Sequence, residues 1–167
     1  MSDAPKEIES PKEIDALLQD LSEPSKGIVR LVRRFNASQE RVFNAFAKAD
    51  HAAAWMGPEG LTCDVSEYDA RPGGRYSLSM NNPSTGDSYH LSGEFREVDP
   101  FDRLSYTWNW ATDEPEHETL VTLEFRSIGD MTELTLTHDR HRAEDVAANH
   151  KMGWTSSIRD LHRFLAT

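Results

Sequence analysis

The chain has 167 residues, 18 Lys and Arg against 29 Asp and Glu, a net charge of −11 and one cysteine. That length favours one domain and is enough to bury a core without disulfides or metals. The acidic balance argues against nucleic acid and against anionic membrane surfaces, both of which are held by Lys and Arg.

Leu, Ile, Val and Phe make up 33 of the 167 residues, close to the border at which a charged chain stays disordered. Four Trp, four Tyr and five Met offset this, because large aromatics bring much apolar area each. The expectation is a folded domain whose core is rich in aromatics. No apolar run approaches the roughly 20 residues of a membrane helix, so no membrane insertion is expected. The start MSDAPKEIES has neither a basic n-region nor an apolar h-region, and the lone Cys63 has no internal disulfide partner. Both fit a cytoplasmic protein.

Residues 1–24 read as an acidic, extended tail with seven acids, two lysines and no aromatic residue. Inside it, Ser10, Pro11 and Glu13 form a capping-box signal, and Ile14, Leu17, Leu18 and Leu21 share one helical face. The plain reading is a short helix laid on its own domain or formed only fleetingly. The alternative is a docking helix for a protein partner or a dimer mate.

From residue 25 a single domain is expected. The run Gly27 to Phe35 reads as a strand with Val29, Leu31, Arg33 and Phe35 on one side. Ser38 caps a helix carrying Val42, Phe43 and Phe46, and a second short helix runs from Asp50 to Trp55, stopped by Gly57 and Pro58. Six strands with period-two alternation follow. Their inward sets are Leu61, Cys63 and Val65; Tyr76, Leu78 and Met80; Tyr89, Leu91, Gly93 and Phe95; Leu104, Tyr106, Trp108 and Trp110; Thr119, Val121, Leu123 and Phe125; and Thr132, Leu134, Leu136 and His138. From about Ala143 to Leu165 the chain reads as one long helix, with Trp154, Ile158, Leu161 and Leu165 on one stripe. Gly153 inside it suggests close packing or a bend. The fold class is α+β: a curved antiparallel sheet of about seven strands wrapped round a long C-terminal helix, with two short helices between the first two strands.

Four motifs in order carry a family resemblance. They are Arg33-x-Phe35-x-Ala-Ser-x-Glu-x-Val-Phe43, Trp55-Met-Gly-Pro-Glu-Gly60, Asp69-Ala-Arg-Pro-Gly-Gly-Arg-Tyr76 and Gly153-Trp154. The stretch Gly93-x-Phe-x-Glu-Val-Asp-Pro-x-x-Arg-Leu104 lies between them. Together they resemble the bacterial proteins grouped with the C-terminal domain of the heat-shock-protein-90 ATPase activator, within the START-like (SRPBCC, helix-grip) superfamily. The resemblance spans about residues 27–166 and implies the helix-grip fold, with a hydrophobic cavity between sheet and long helix. It does not imply chaperone activation, because nothing in the tail matches the activator's separate N-terminal domain.

Tyr76, Tyr106, Trp108, Trp110 and Trp154 share inward parity, with Trp55 at the rim, and such faces suit a flat apolar ligand. The candidate ligand-binding set is Trp55, Tyr76, Leu78, Met80, Phe95, Tyr106, Trp108, Trp110, Val121, Leu123, His138, Trp154 and Ile158, with Met56 as adaptable lining. His138, His141 and His150 would need to converge from a strand end, a loop and a helix to hold a metal, and no metal or cofactor is assigned. Cys63 reads as a small hydrophobe. Arg33, Arg34, Asp69 and Arg71 suggest an ion pair pinning the start of a strand, or an inward Arg33 facing an anionic ligand. Three functional readings follow, in order of preference: a module binding a small apolar molecule (aromatic, polyketide-like or lipid-like); a protein-interaction module using the tail; and a cyclase- or hydrolase-like enzyme using His138, Tyr76 and Tyr106 as acid–base groups.

Overall fold

A computed structural model describes residues 19–166. The elements in chain order are β1 (Gln19–Asp20), β2 (Val29–Phe35), α1 (Gln39–Ala47), α2 (Ala49–Trp55), β3 (Thr62–Tyr68), β4 (Arg75–Asn81), β5 (Ser88–Asp99), β6 (Arg103–Trp110), β7 (Thr119–Ile128), β8 (Met131–Asp139) and α3 (Glu144–Leu165). The strands form one sheet in the order β1-β2-β8-β7-β6-β5-β4-β3. Every neighbouring pair is antiparallel. The fold class read from the sequence is the one observed, with eight strands in place of about seven.

Alternation builds the inner face. Val29, Leu31 and Phe35 of β2, Tyr76, Leu78 and Met80 of β4, Val121, Leu123 and Phe125 of β7, and Leu134, Leu136 and His138 of β8 are all buried. Ser38 accepts the Arg41 amide at 3.2 Å and starts α1. The buried stripe of α1 sets Phe43 and Phe46 edge-on to Phe125, at 5.4 and 6.0 Å between ring centres. The Trp55 indole donates to the Ala45 carbonyl at 2.8 Å and ties α2 to α1. Helix α3 buries Ala147, Trp154, Ile158, Leu161 and Leu165.

Beside the future site, β5 has a register irregularity between Phe95 and Glu97. Its amides find side chains on β6: Glu94 N–H donates to Thr107 Oγ1 at 2.8 Å and Glu97 N–H to Ser105 Oγ at 3.1 Å. Gly93 pairs with Tyr76 across β4 and β5. A Cβ on Gly93 would lie 2.0 Å from the Thr107 carbonyl oxygen and 2.5 Å from the Tyr76 ring. The missing side chain is what lets the Tyr76 hydroxyl reach the Thr107 carbonyl, at 2.5 Å.

Four sequence expectations change. Gln19 and Asp20 are strand, paired with Val32 and Leu31, so the helix expected to carry Leu21 does not extend that far; its other members, Ile14, Leu17 and Leu18, lie outside the described residues. Only Cys63 of the inward set on β3 is fully buried, since this strand lies at the sheet edge. Tyr89 is 46% exposed because β5 starts beyond the cover of α3. Finally, α3 runs unbroken through Gly153, and a Cβ there would meet only Pro58 Cγ at 3.7 Å, an ordinary contact. No close backbone approach requires this glycine.

Candidate functional site

A groove of about 360 Å³ opens between the first half of α3 and the ends of β4 and β6. Met80, Trp108 and Trp110 supply the sheet wall, and Met56 and Pro58 close one end after α2. From α3 come Val146, Asn149, His150, Gly153, Trp154 and Ser157. These positions fall at helical spacing along the flank of the buried stripe. Asp113, after β6, and Arg142, before α3, complete the rim and pair at 3.6 Å. Their charges cancel, so the groove presents apolar walls and a neutral rim.

Trp108 is the centre of the aromatic cluster. Its ring lies 5.5 Å from Trp110 at 84° and 5.2 Å from Trp154 at 48°. Beside it stand three histidines, of which His150 lines the groove, with ring centres 4.3 Å (His138–His141), 4.8 Å (His138–His150) and 4.7 Å (His141–His150) apart. The three rings therefore do converge from a strand end, a loop and a helix. The chain leaves β8 through Arg140, at φ 69°, which turns His141 back against His138. Gly27, at φ 73°, allows the close approach that completes it: a Cβ there would lie 2.4 Å from the His141 carbonyl oxygen.

The hydrogen bonds assign each ring. An indole N–H can only donate, so the Trp154 bond of 3.0 Å makes His138 Nδ1 an acceptor. Its Nε2–H then donates to Thr119 Oγ1 at 2.6 Å, and that hydroxyl donates to the Trp108 carbonyl at 3.1 Å. His150 Nδ1–H donates to the Val146 carbonyl at 3.0 Å, and its Nε2 accepts the Trp110 indole N–H at 2.9 Å. His141 Nδ1–H donates to the Gly27 carbonyl at 2.9 Å, leaving Nε2 buried without a partner. All three rings are neutral. Burial holds His138 well below the ordinary imidazole range, and His150 and His141 push it further down. Burial, followed by the proximity of His141, lowers His150 to about 4. Burial also lowers His141, against the pull of the Gly27 carbonyl.

At His138 and His150 this arrangement leaves no ring nitrogen free for a metal or for proton transfer to a ligand. The metal-binding lone pairs of His138 and His150 are taken up by indole N–H groups. Among the described residues no group of His, Cys, Asp or Glu side chains is set to hold a metal ion. His138 has both nitrogens engaged and none directed to a substrate. Burial raises the hydroxyls of Tyr76 and Tyr106 well above the usual tyrosine range, and the Cys63 thiol to about 11. Arg33 is buried and donates to the carbonyls of Gln19 and Val32 rather than facing the groove. Asp69 pairs with Arg71 at 2.7 Å, and Arg34 pairs with Glu133 at 3.3 Å.

Of the residues selected from the sequence, Met56, Met80, Trp108, Trp110 and Trp154 line the groove. Tyr76, Leu78 and Tyr106 line a narrower void deeper in, together with Trp108. His138 stands behind the wall. Trp55, Phe95, Val121, Leu123 and Ile158 belong to the core. Sequence reasoning missed Val146, Asn149, Gly153 and Ser157 because it followed the buried stripe of α3 and not the flank beside it. Asp113 and Arg142 come from separate loops and carry no local signal.

The family profile of the Activator of Hsp90 ATPase homolog 1-like proteins matches residues 36–166. The chain belongs to this family. No curated protein matches it. Among solved structures, family likeness is seen in the AHSA1 protein of Silicibacter pomeroyi, 28% identical with a TM-score of 0.74, covering 83% of this chain and 97% of that one. A protein of Chromobacterium violaceum is 27% identical with a TM-score of 0.75, covering 84% of this chain and 98% of its own. A protein of Arthrobacter aurescens shares the fold at 16% identity, with a TM-score of 0.79 over 89% of this chain and 91% of its own. The family match begins just after β2 and takes in all of the groove. No helix among the described residues is long and apolar enough to cross a membrane.

Proposed function

We propose that the protein binds a small, flat, uncharged and mostly apolar molecule in the groove between α3 and the ends of β4 and β6. The observation that carries this reading is the groove itself: about 360 Å³ walled by three tryptophans and two methionines. That volume lies at the lower end of small-molecule sites and suits a ligand of two or three fused rings. Trp110 and Trp154 have their N–H groups committed to histidines, so they offer faces rather than donors. Met56 and Met80 adapt to the outline of the guest. The neutral Asp113–Arg142 rim gives a charged ligand no net partner.

The test is a titration with naphthalene-type, flavone-type and fatty-acid-type molecules, read by the indole N–H resonances of Trp110 and Trp154 and the backbone amides of Val146 and Asn149. The expected result is saturable shifts with a ring compound and a loss of affinity of about tenfold in Val146→Phe, which fills the groove. Unmoved resonances across the whole panel would sink the reading.

A further inference from the structure

Behind the groove lies the narrow void, lined by Met56, Tyr68, Tyr76, Leu78, Tyr106 and Trp108, with no room for a water molecule. Met56 and Trp108 are walls of both spaces. Among the buried and half-buried tyrosines and tryptophans of the void, the groove and the neighbouring core, the polar ends divide into two sets. The Tyr76 hydroxyl donates to the Thr107 carbonyl, the Tyr68 hydroxyl to the Phe46 carbonyl and the Trp55 indole to the Ala45 carbonyl. Trp110 and Trp154 donate to histidines. The Tyr106 hydroxyl and the Trp108 indole N–H, both buried, have no partner.

Buried donors are almost always satisfied, so two unpartnered ones on residues that line the same void require an explanation. They stand two residues apart on β6, and both are buried on the inner face. The hydroxyl oxygens of Tyr68 and Tyr76 keep lone pairs after donating to carbonyls, but neither lies within hydrogen-bond reach of Tyr106 Oη or Trp108 Nε1. The missing partner is an acceptor brought from outside. A carbonyl oxygen has two lone pairs and can take both N–H and O–H, whereas a ligand hydroxyl or amine adds donors that the Trp108 N–H cannot use. The only side chain shared by groove and void besides Trp108 is Met56, whose unbranched thioether has several rotamers of similar energy. The void as it stands admits no carbonyl oxygen, so a ligand that reaches it has to displace the Met56 side chain.

Resting on the reading of the groove as a ligand site, we infer that its ligand class is an aromatic ketone or quinone. The rings lie between Trp110 and Trp154, and the leading carbonyl passes Met56 to accept from Tyr106 Oη–H and Trp108 Nε1–H. Burial keeps the Tyr106 hydroxyl protonated at neutral pH, as a donor must be.

The experiment compares 2-acetylnaphthalene with 2-isopropenylnaphthalene, which differ only in exchanging the carbonyl oxygen for a methylene. Affinities are taken by calorimetry, and the Trp108 indole N–H resonance is followed by NMR. The ketone is expected to bind at least tenfold more tightly and to move the Trp108 N–H resonance downfield, the alkene leaving it near its free position. Tyr106→Phe is expected to reduce the ratio to threefold or less. Equal affinities, or a Trp108 N–H resonance that does not move with the ketone, would overturn the carbonyl assignment and leave the groove standing. Failure of both compounds to bind would overturn the groove reading and this inference with it.

Discussion

Thr119 links two strands and a tryptophan through a single hydroxyl. It accepts from His138 Nε2–H and donates to the Trp108 carbonyl, so one oxygen both fixes the His138 tautomer and completes the row that begins at the Trp154 indole. Thr119→Val keeps the shape and removes both bonds, leaving the His138 N–H buried and unpaired. The expected cost is about 1–3 kcal/mol, read as a lower urea midpoint with an unchanged slope. A midpoint equal to that of the parent would show that the row contributes nothing. The sequence places Thr119 and His138 on the inner face by parity. Their contact is another matter: His138 pairs with Val121, and Thr119 reaches it diagonally, two residues along β7. Parity says which face a side chain occupies, whereas the diagonal depends on register, and register is set by the loops and bulges.

Among the elements, α3 carries the sharpest conflict between stability and the groove. Gly153 sits in its interior, where glycine is worse than alanine by roughly 1 kcal/mol. A Cβ would meet Pro58 Cγ at an ordinary 3.7 Å. Gly153→Ala is therefore expected to raise stability by about 0.5–1 kcal/mol in urea unfolding. It also places a methyl group on the groove wall and is expected to weaken the naphthalene-type ligands. Destabilisation by this variant would mean that the helix needs the glycine for its own geometry. The elements themselves were largely legible, since the Ser38 cap, the alternation of β4, β7 and β8 and the stripe of α3 are local patterns. Residues 19–21 were not. Leu21 continues a helical spacing, but Gln19 and Asp20 gain sheet pairing with Leu31 and Val32, and Asp20 pairs with Lys151 of α3. Tertiary partners here outweigh a short helix that is marginal alone.

For the molecule as a whole, the buried histidines couple folding to pH. The folded affinities of His138, His141 and His150 for protons all lie below the ordinary imidazole value of 6.5. Between that value and the folded ones, the unfolded chain binds more protons than the native protein, so stability rises with pH across the window and is lost as pH falls. For His150 the window runs from 6.5 down to about 4. Each histidine contributes up to about 1.4 kcal/mol per pH unit inside its window. The urea midpoint is expected to drop from pH 7 to pH 5, and His138→Gln with His150→Gln to flatten the profile. A level midpoint in the parent over that range would contradict neutral burial of the cluster. Fold class and family were readable from the ordered motifs, because most of their glycines sit where little else fits: Gly57, Gly60 and Gly73 at positive φ, and Gly74 and Gly93 against backbone carbonyls, with Gly153 the exception. The groove was only half readable. Its aromatic wall follows from strand parity, but its other wall combines a helix flank with two loops, and only the folded chain brings those together.

The two outer strands have a further consequence, for association between copies of the chain. An exposed outer strand is a template on which another chain can add by backbone pairing. Among the described residues β1 is two residues long, too short to seed a ladder. At the opposite side β3 shifts register between Val65 and Glu67 and exposes Asp64, Ser66 and Glu67. An incoming strand there would have to match a broken register and bring its backbone alongside two carboxylates. Among the described residues, both margins of the sheet therefore carry features that oppose its growth into a fibre.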